Sequence, residues 1–279
     1  MSWLSVAKKD FVDARRSKGL WALAALYVVL LSVLVFYTGD ASSELVMADV
    51  LQLVSIVAIF IVPLSALIVA YLAVAGERES GSIKYLLGLP NTRRDIVVGK
   101  FLGRTAVVAV GLLLAFGVAG ALGVVMLASV ALDTFASFFL LLLLFAVSYV
   151  GIAVGISAAC ASRSRAMASA VGVFFVFNVL WTAPAVRPSM ILKYVAEDTL
   201  GMSVGASVYE FVFLVSPPYA FQKASNMVFE DQLYYSRYVD STADLPFYLD
   251  GWFMLVVLGA WLVVPLVLGY LSFERADLG

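Results

Sequence analysis

The sequence predicts an all-α membrane protein. It has six transmembrane helices with both termini in the cytoplasm, an amphipathic N-terminal interfacial helix, a short cytoplasmic helix between the second and third spans, and an outer re-entrant or interfacial segment before the last span. Three observations predict this. The 279 residues are 63% hydrophobic and 13% charged, with a mean hydropathy of +1.01, against about 45–50% apolar and about 25% charged in a soluble domain. Six windows free of Asp, Glu, Lys and Arg each supply the roughly 20 residues that a helix rising about 1.5 Å per residue needs to cross the hydrocarbon core. Finally, of the 18 Lys and Arg, all but Arg187, Lys193, Lys223 and Arg237 fall in segments that alternate onto one side, which insertion holds in the cytoplasm.

Composition also excludes whole classes of chemistry. The chain contains no histidine, so imidazole-dependent hydrolysis, HExxH zinc proteolysis and His-ligated haem are ruled out. A net charge of −1 provides no basic field for nucleic acid. Cys160 is the one cysteine and forms neither an internal disulfide nor a Cys-rich metal cage. No catalytic, cofactor-binding or metal-ligating set is read from the sequence.

Taken in order, residues 1–19 form a cytoplasmic lead in which Trp3, Leu4, Val6, Phe11 and Val12 accompany five cations, a pattern suited to lying in the membrane interface. The spans are Leu20 to Thr38, Val50 to Gly76, Thr105 to Leu132, Thr134 to Ser162, Ala166 to Val186 and Gly251 to Phe273. The first is a retained helix rather than a signal peptide, because its basic flank and apolar run are both long and it lacks a small-residue cleavage site. The first outer loop carries only acids, Asp40, Glu44 and Asp49, and Asp133 sits at the outer surface. Residues 187–250 are the outer segment, whose apolar stretch from Leu200 to Val215, with Glu210 its sole charge, ends at Ser216, Pro217 and Pro218. It reads as a re-entrant or interfacial helix pair, with an ordinary ectodomain loop as the alternative.

The inner loop over 77–104 is the most informative segment. Ser80 to Ser82 breaks the preceding helix, Ser82 caps a new short one and Pro90 ends it, so that Ile83, Leu86 and Leu87 share a face. Thr92 followed by Asp95 is capping-box-like and starts the third helix near Arg93. Such a short amphipathic helix suits either docking into a groove on a cytoplasmic partner or simple residence in a solvated, positive-inside loop. Elsewhere Gly151 and Gly155, extended by Ala159, give the fourth helix a strip of small residues for close packing. Asn178, with Thr182 nearby, is the most polar mid-span feature, either lining a route or bonding a neighbouring backbone. Pro63 and Pro265 bend their helices.

The acidic pair Glu77 and Glu79, the run Ser80 to Ile83, Leu86 to Pro90, Arg93-Arg94-Asp95, then Gly99-Lys100 and Gly103-Arg104 resemble the first cytoplasmic loop of prokaryotic ATP-binding-cassette type 2 transporter permease subunits. The six-span layout, the lead and the Ser-Pro before the last span are similar too, so the likeness covers nearly the whole chain. It implies a single transmembrane permease domain over 1–279, a dimer of permeases (homo- or heterodimer), and an ABC ATPase subunit on each copy. The ATPase would bind at a coupling helix that maps onto Ser82 to Leu89. Glu77, Glu79, Ser82, Ile83, Tyr85, Leu86 and Leu87 would lie at that contact. The subgroup linked to nitrous oxide reductase copper-site maturation is a candidate, although the eight methionines form no close-spaced ligand cluster.

The chain itself carries no phosphate-cradling Gly-x-x-x-x-Gly-Lys-Ser/Thr loop, since Gly99-Lys100 is followed by Phe101 and Arg94 stands where the first glycine belongs. ATP would therefore be bound by the partner. The rivals are a stand-alone secondary carrier or channel, disfavoured because no span holds a charge to bind a coupling proton, and a non-transporting scaffold or sensor. A neighbouring coding region for an ATPase separates the first reading from both. The charge census makes a direct prediction for a Cys160→Ser background. A cysteine near Asp231 reacts with an impermeant maleimide from outside and one near Ser82 does not; the reverse labelling pattern overturns the topology.

Overall fold

The computed structural model describes residues 3–16, 18–41, 47–88, 91–229, 236–239 and 245–277, with backbone only at 39–41. Expectations that concern Glu44, Leu89, Pro90 and Asp231 lie outside them. The described residues form helices and turns without a strand. The lead is α1 (Trp3–Arg16), followed by α2 (Lys18–Ala41), α3 (Met47–Ala70), and two short helices, α4 (Ala75–Glu79) and α5 (Ile83–Gly88). Then come α6 (Arg93–Met126), α7 (Leu132–Ala159), α8 (Arg163–Phe175), α9 (Pro188–Lys193), α10 (Ala206–Leu214), α11 (Pro217–Ser225) and α12 (Gly251–Glu274). Six helical stretches among the described residues are long and apolar enough to cross a membrane, and they begin in α2, α3, α6, α7, α8 and α12.

The spans depart from the apolar windows in instructive ways. The second is not one helix, because it turns at 71–74 before α4. The third starts twelve residues before its window, at Arg93, where Thr92 and Asp95 close a capping box by exchanging side-chain and backbone hydrogen bonds. The fifth is shorter than its window. After α8 it loosens into a π-helical turn over Val176–Leu180 and stops, with residues 181–187 in turns. Pro184 explains the stop, since its ring disfavours a helical Ala183 and it has no N–H to donate.

The central mast is α7, the most buried of the spans. Its small-residue strip meets α12. A methyl group on Gly151 would stand 2.5 Å from the Leu262 carbonyl, one on Gly155 would collide with the Pro265 carbonyl, and one on Gly269 with Gly155 itself. With backbones that close, the Ser148 hydroxyl donates to Leu258 O at 2.9 Å across the seam. The strip therefore packs within the chain, and Gly151 and Gly155 rather than Ala159 carry the approach.

The segment between the fifth and sixth spans contains a packed helix pair. α10 and α11 meet at Ser216, and α11 inserts Phe221 against α7, where its ring stacks on Phe145 at 4.5 Å and 16°. Two indoles hold the pair, with Trp181 Nε1, just past the fifth span, donating to Phe213 O (2.9 Å) and Trp261 Nε1 of α12 to Val215 O (2.7 Å). Glu210, fully buried, accepts the backbone N–H groups of Arg237 and Tyr238, each at 2.9 Å, which fixes the far end of the segment.

Because a backbone carbonyl blocks any side chain at Gly151, Gly151→Leu is expected to lower stability by about 1–3 kcal/mol. Gly117→Ala, where nothing lies within 4 Å, is expected to be neutral or slightly stabilising. Thermal unfolding of the detergent-solubilised variants checks both.

Candidate coupling site

At the basic pole of the bundle, four elements converge on α4, a helix of only 5 residues. Its first turn has no side-chain cap of its own. Instead the buried Ser157 hydroxyl of α7 accepts from the N–H groups of Val74 (2.9 Å) and Ala75 (3.0 Å), donors a helix start otherwise leaves unpaired. Arg78 of α4 returns the favour, with its guanidinium donating to the Ala158 (3.1 Å) and Cys160 (3.0 Å) carbonyls at the C-terminus of α7. A cation there also complements the helix dipole. Glu79 in turn accepts the Arg163 N–H at 2.5 Å, capping α8.

Glu77 points the other way, into a buried cluster of alternating charge. Lys100 Nζ, on α6, lies 2.6 Å from Glu77 Oε1 and 2.9 Å from Asp10 Oδ1 on α1. Arg104, one turn along, binds the other Asp10 oxygen through Nε at 2.9 Å and donates to Val69 O of α3 at 3.0 Å. The two glycines that precede these cations make the arrangement possible. A Cβ on Gly99 would sit 2.6 Å from that of Val6, and one on Gly103 2.7 Å from Asp10 Oδ2. Gly99-Lys100 and Gly103-Arg104 are thus one device repeated at a helical turn, in which glycine admits α1 and the next residue grips its carboxylate. The lead buries Val6, Ala7 and Asp10 against α6, so the face expected to lie in lipid is instead partly spent on protein, and only Trp3 and Leu4 stay well exposed.

A second clamp closes the pole. Arg93, the first residue of α6, donates to the carbonyls of Phe273 (2.5 Å), Glu274 and Ala276 (both 2.8 Å) at the C-terminus of α12. The Phe273 ring lies between two guanidiniums, 5.6 Å from Arg78 and 5.4 Å from Arg93.

α5 hangs from this frame through Gly81, whose φ of +74° a residue with a side chain rarely adopts. Ser82 heads the helix through its carbonyl, which accepts from Tyr85 N at 3.1 Å. Its hydroxyl, expected as the cap, bonds back to Glu77 O at 3.4 Å. Asn91 closes the other end, donating to Leu86 O at 3.1 Å. The shared face expected to meet a partner is divided: Ile83 (2% exposed) and Leu86 (9%) enter the chain's own core, Leu87 is half-buried, and Tyr85 stands 82% exposed beside Lys84. Periodicity marks an apolar face but does not say which surface covers it. Glu77 and Glu79 are likewise engaged inside the chain by Lys100 and Arg163.

Asn178 lies in the π-helical turn, buried, with Nδ2 donating to Phe174 O at 3.1 Å. The Tyr149 hydroxyl is within reach of the amide without attaining hydrogen-bond geometry, which leaves Asn178 Oδ1 and Tyr149 Oη unpaired in the interior. Thr182 is exposed in the turn beyond, its hydroxyl bonded to Val179 O at 2.8 Å. Sequence reasoning missed Asp10, Arg78 and Ser157. Asp10 was legible as the lone acid among the apolar and small residues of an amphipathic face, whereas Ser157 gave no signal at all.

A family model described as ABC-2 family transporter protein matches residues 4–278. Among curated proteins, the probable ABC transporter permease protein NosY of Pseudomonas aeruginosa is 32% identical over 186 residues, covering 63% of this chain and 67% of that protein. The probable ABC transporter permease protein NosY of Stutzerimonas stutzeri is 27% identical over 282 residues, covering 97% of each.

Removing the shared carboxylate of the cluster leaves Lys100 with Glu77 alone and takes from the partly buried Arg104 its acidic partner. Asp10→Ala is therefore expected to cost about 3–5 kcal/mol, and the double variant Asp10→Ala/Lys100→Met to recover part of it. Chemical or thermal unfolding of the purified protein checks the difference.

Proposed function

This chain belongs to the ABC-2 family of transporter proteins, and from that premise we propose that it is the permease subunit of an ATP-driven exporter in the cell membrane. Two permeases, identical or related, would bind two separate ATPase subunits, with both termini and the basic pole in the cytoplasm. Cargo would pass between the two permeases as the outer and inner faces open in turn. The α8 face carrying Met167, Val171 and Phe175, exposed in the single chain, is the surface on which the second copy would seat. Neither permease would perform covalent chemistry.

One observation carries this reading. α5 projects Tyr85 and Lys84 outward while its opposite face is anchored in the core and its neighbour α4 is wired to α6, α7, α8 and α12, and through Lys100 to α1. A helix supported this way passes a displacement to the spans instead of flexing under it. Glu77 and Glu79 would then act as the links behind the contact, with Tyr85, Lys84 and the exposed edge of Leu87 as the contact itself. Gly99-Lys100 adds independent support, since both residues are occupied by α1 and Asp10 and are not arranged as a phosphate-binding loop. The chain would thus depend on a partner for nucleotide hydrolysis.

The test is a surface variant that spares the fold. Lys84→Glu/Tyr85→Ala removes an exposed anchor of the kind worth about 2 kcal/mol, or roughly thirtyfold in affinity. The ATPase is expected to be lost on co-purification while the melting temperature of the permease is unchanged. Retained ATPase binding, or full-rate transport by the purified chain without a nucleotide-hydrolysing subunit, overturns the proposal.

A further inference from the structure

A groove of about 420 Å³ lies at the junction of α1, α2, α3 and α6. Its walls are apolar, formed by Leu20, Leu23 and Leu26 of α2, Ile68 and Val69 of α3, and Val107 of α6. Leu20, Leu23 and Leu26 lie in the part of α2 nearest the basic pole, Ile68 and Val69 in the last turn of α3, and Val107 just past Arg104, the last charge before the apolar run of α6, so the groove sits at the depth of one leaflet's acyl chains rather than at mid-membrane.

Its rim is cationic. Ala14 and Gly19 line the mouth, and Arg15, Arg16 and Lys18 beside them in sequence are exposed and engaged in no ion pair among the described residues. Asp13 is the acid nearest in sequence. Arg104 also lines the groove, but its guanidinium is already held by Asp10 and Val69 O, so the free positive charge is that of the rim. Trp21, 58% exposed, stands there too, its indole N–H donating to Arg15 O at 3.1 Å, the placement of an aromatic ring at a membrane–water interface.

We propose that this groove binds one anionic phospholipid, an acyl chain lying between α2 and α3 and the phosphate held by Arg15, Arg16 and Lys18. Apolar walls alone accept any lipid. The three cations select the anionic headgroup, because each basic side chain near a charged headgroup adds attraction that a zwitterionic lipid does not return. The site joins α1 to α2 at the point where Asp10 pins α1 to α6, so an occupied groove steadies the lead against the bundle.

The test uses the full chain, with its ATPase where the two co-purify, and two probes with matched acyl chains, phosphatidylglycerol and phosphatidylcholine. Native mass spectrometry after delipidation is expected to show one phosphatidylglycerol retained per chain in preference to phosphatidylcholine. Arg15→Gln/Arg16→Gln/Lys18→Gln is expected to reduce the phosphatidylglycerol preference by about tenfold or more. Ala22→Trp, which fills the groove from an exposed position, is expected to reduce retention of both lipids. A photoreactive residue at Leu26 provides a readout that does not depend on these variants and is expected to crosslink to labelled phosphatidylglycerol. Equal retention of the two lipids, an unchanged preference in the triple variant, or crosslinking of Leu26 to a second copy of the chain overturns the proposal.

Discussion

The structure depends on the carboxylate of Asp10 and the two cations that share it. Lys100 and Arg104 sit on the stretch of α6 that precedes its apolar run, where a bare cation pressed against a packed helix would be costly to keep out of water. Asp10 answers both, and Glu77 supplies the second charge that Lys100 requires. Four ionised groups thus balance locally, and in doing so they fix three things at once: the lie of α1, the depth of α6, and the position of α4. The bonds to α7 and α8 at this pole extend from α4. Because the cluster is buried at Asp10 and Lys100 and balanced in charge, its worth lies less in net stability than in permitting one arrangement of these helices, since a shift by a single turn would leave a charge without its counterpart.

Several helix ends at this pole are satisfied from neighbouring elements. α7 provides the hydroxyl that starts α4, α4 provides the guanidinium that ends α7 and the carboxylate that starts α8, and α6 provides the guanidinium that ends α12. In a span of lipid-facing residues few side chains are suited to this work, and the charged loops at the membrane surface supply them. The opposite pole is held differently, by stacked rings and two indole donors. One end of the bundle is locked by charge and the other by shape.

Much of the architecture was legible in the residues because hydrophobicity sets it directly. The six apolar windows, the Thr92–Asp95 cap and the Gly-x-x-x-Gly strip of the fourth span each reflect a local rule, and each is visible in the helices. The boundaries that shifted did so where tertiary contacts reach across the chain. The turn at 71–74 depends on Ser157, more than eighty residues later, and no local pattern marks a serine that caps a remote helix. The inner loop shows the same limit. Ile83 and Leu86 do lie on one face, but packing takes them into the chain's own core and leaves Tyr85 as the outward residue. Asn178 was visible as the polar centre of the fifth span, while the π-helical turn around it was not.

The pairing of α7 with α12 has a consequence for how the chain is made. Spans enter the membrane in order, so the fourth stands there for about a hundred residues of synthesis before the sixth arrives to fill the notch at Gly151 and Gly155 and to accept the hydrogen bond of Ser148. Over the same interval Arg93 waits for the carbonyls it will cap. The bundle is therefore sealed by its final span, and until then its mast presents an open cleft to the lipid and to the machinery that inserts it.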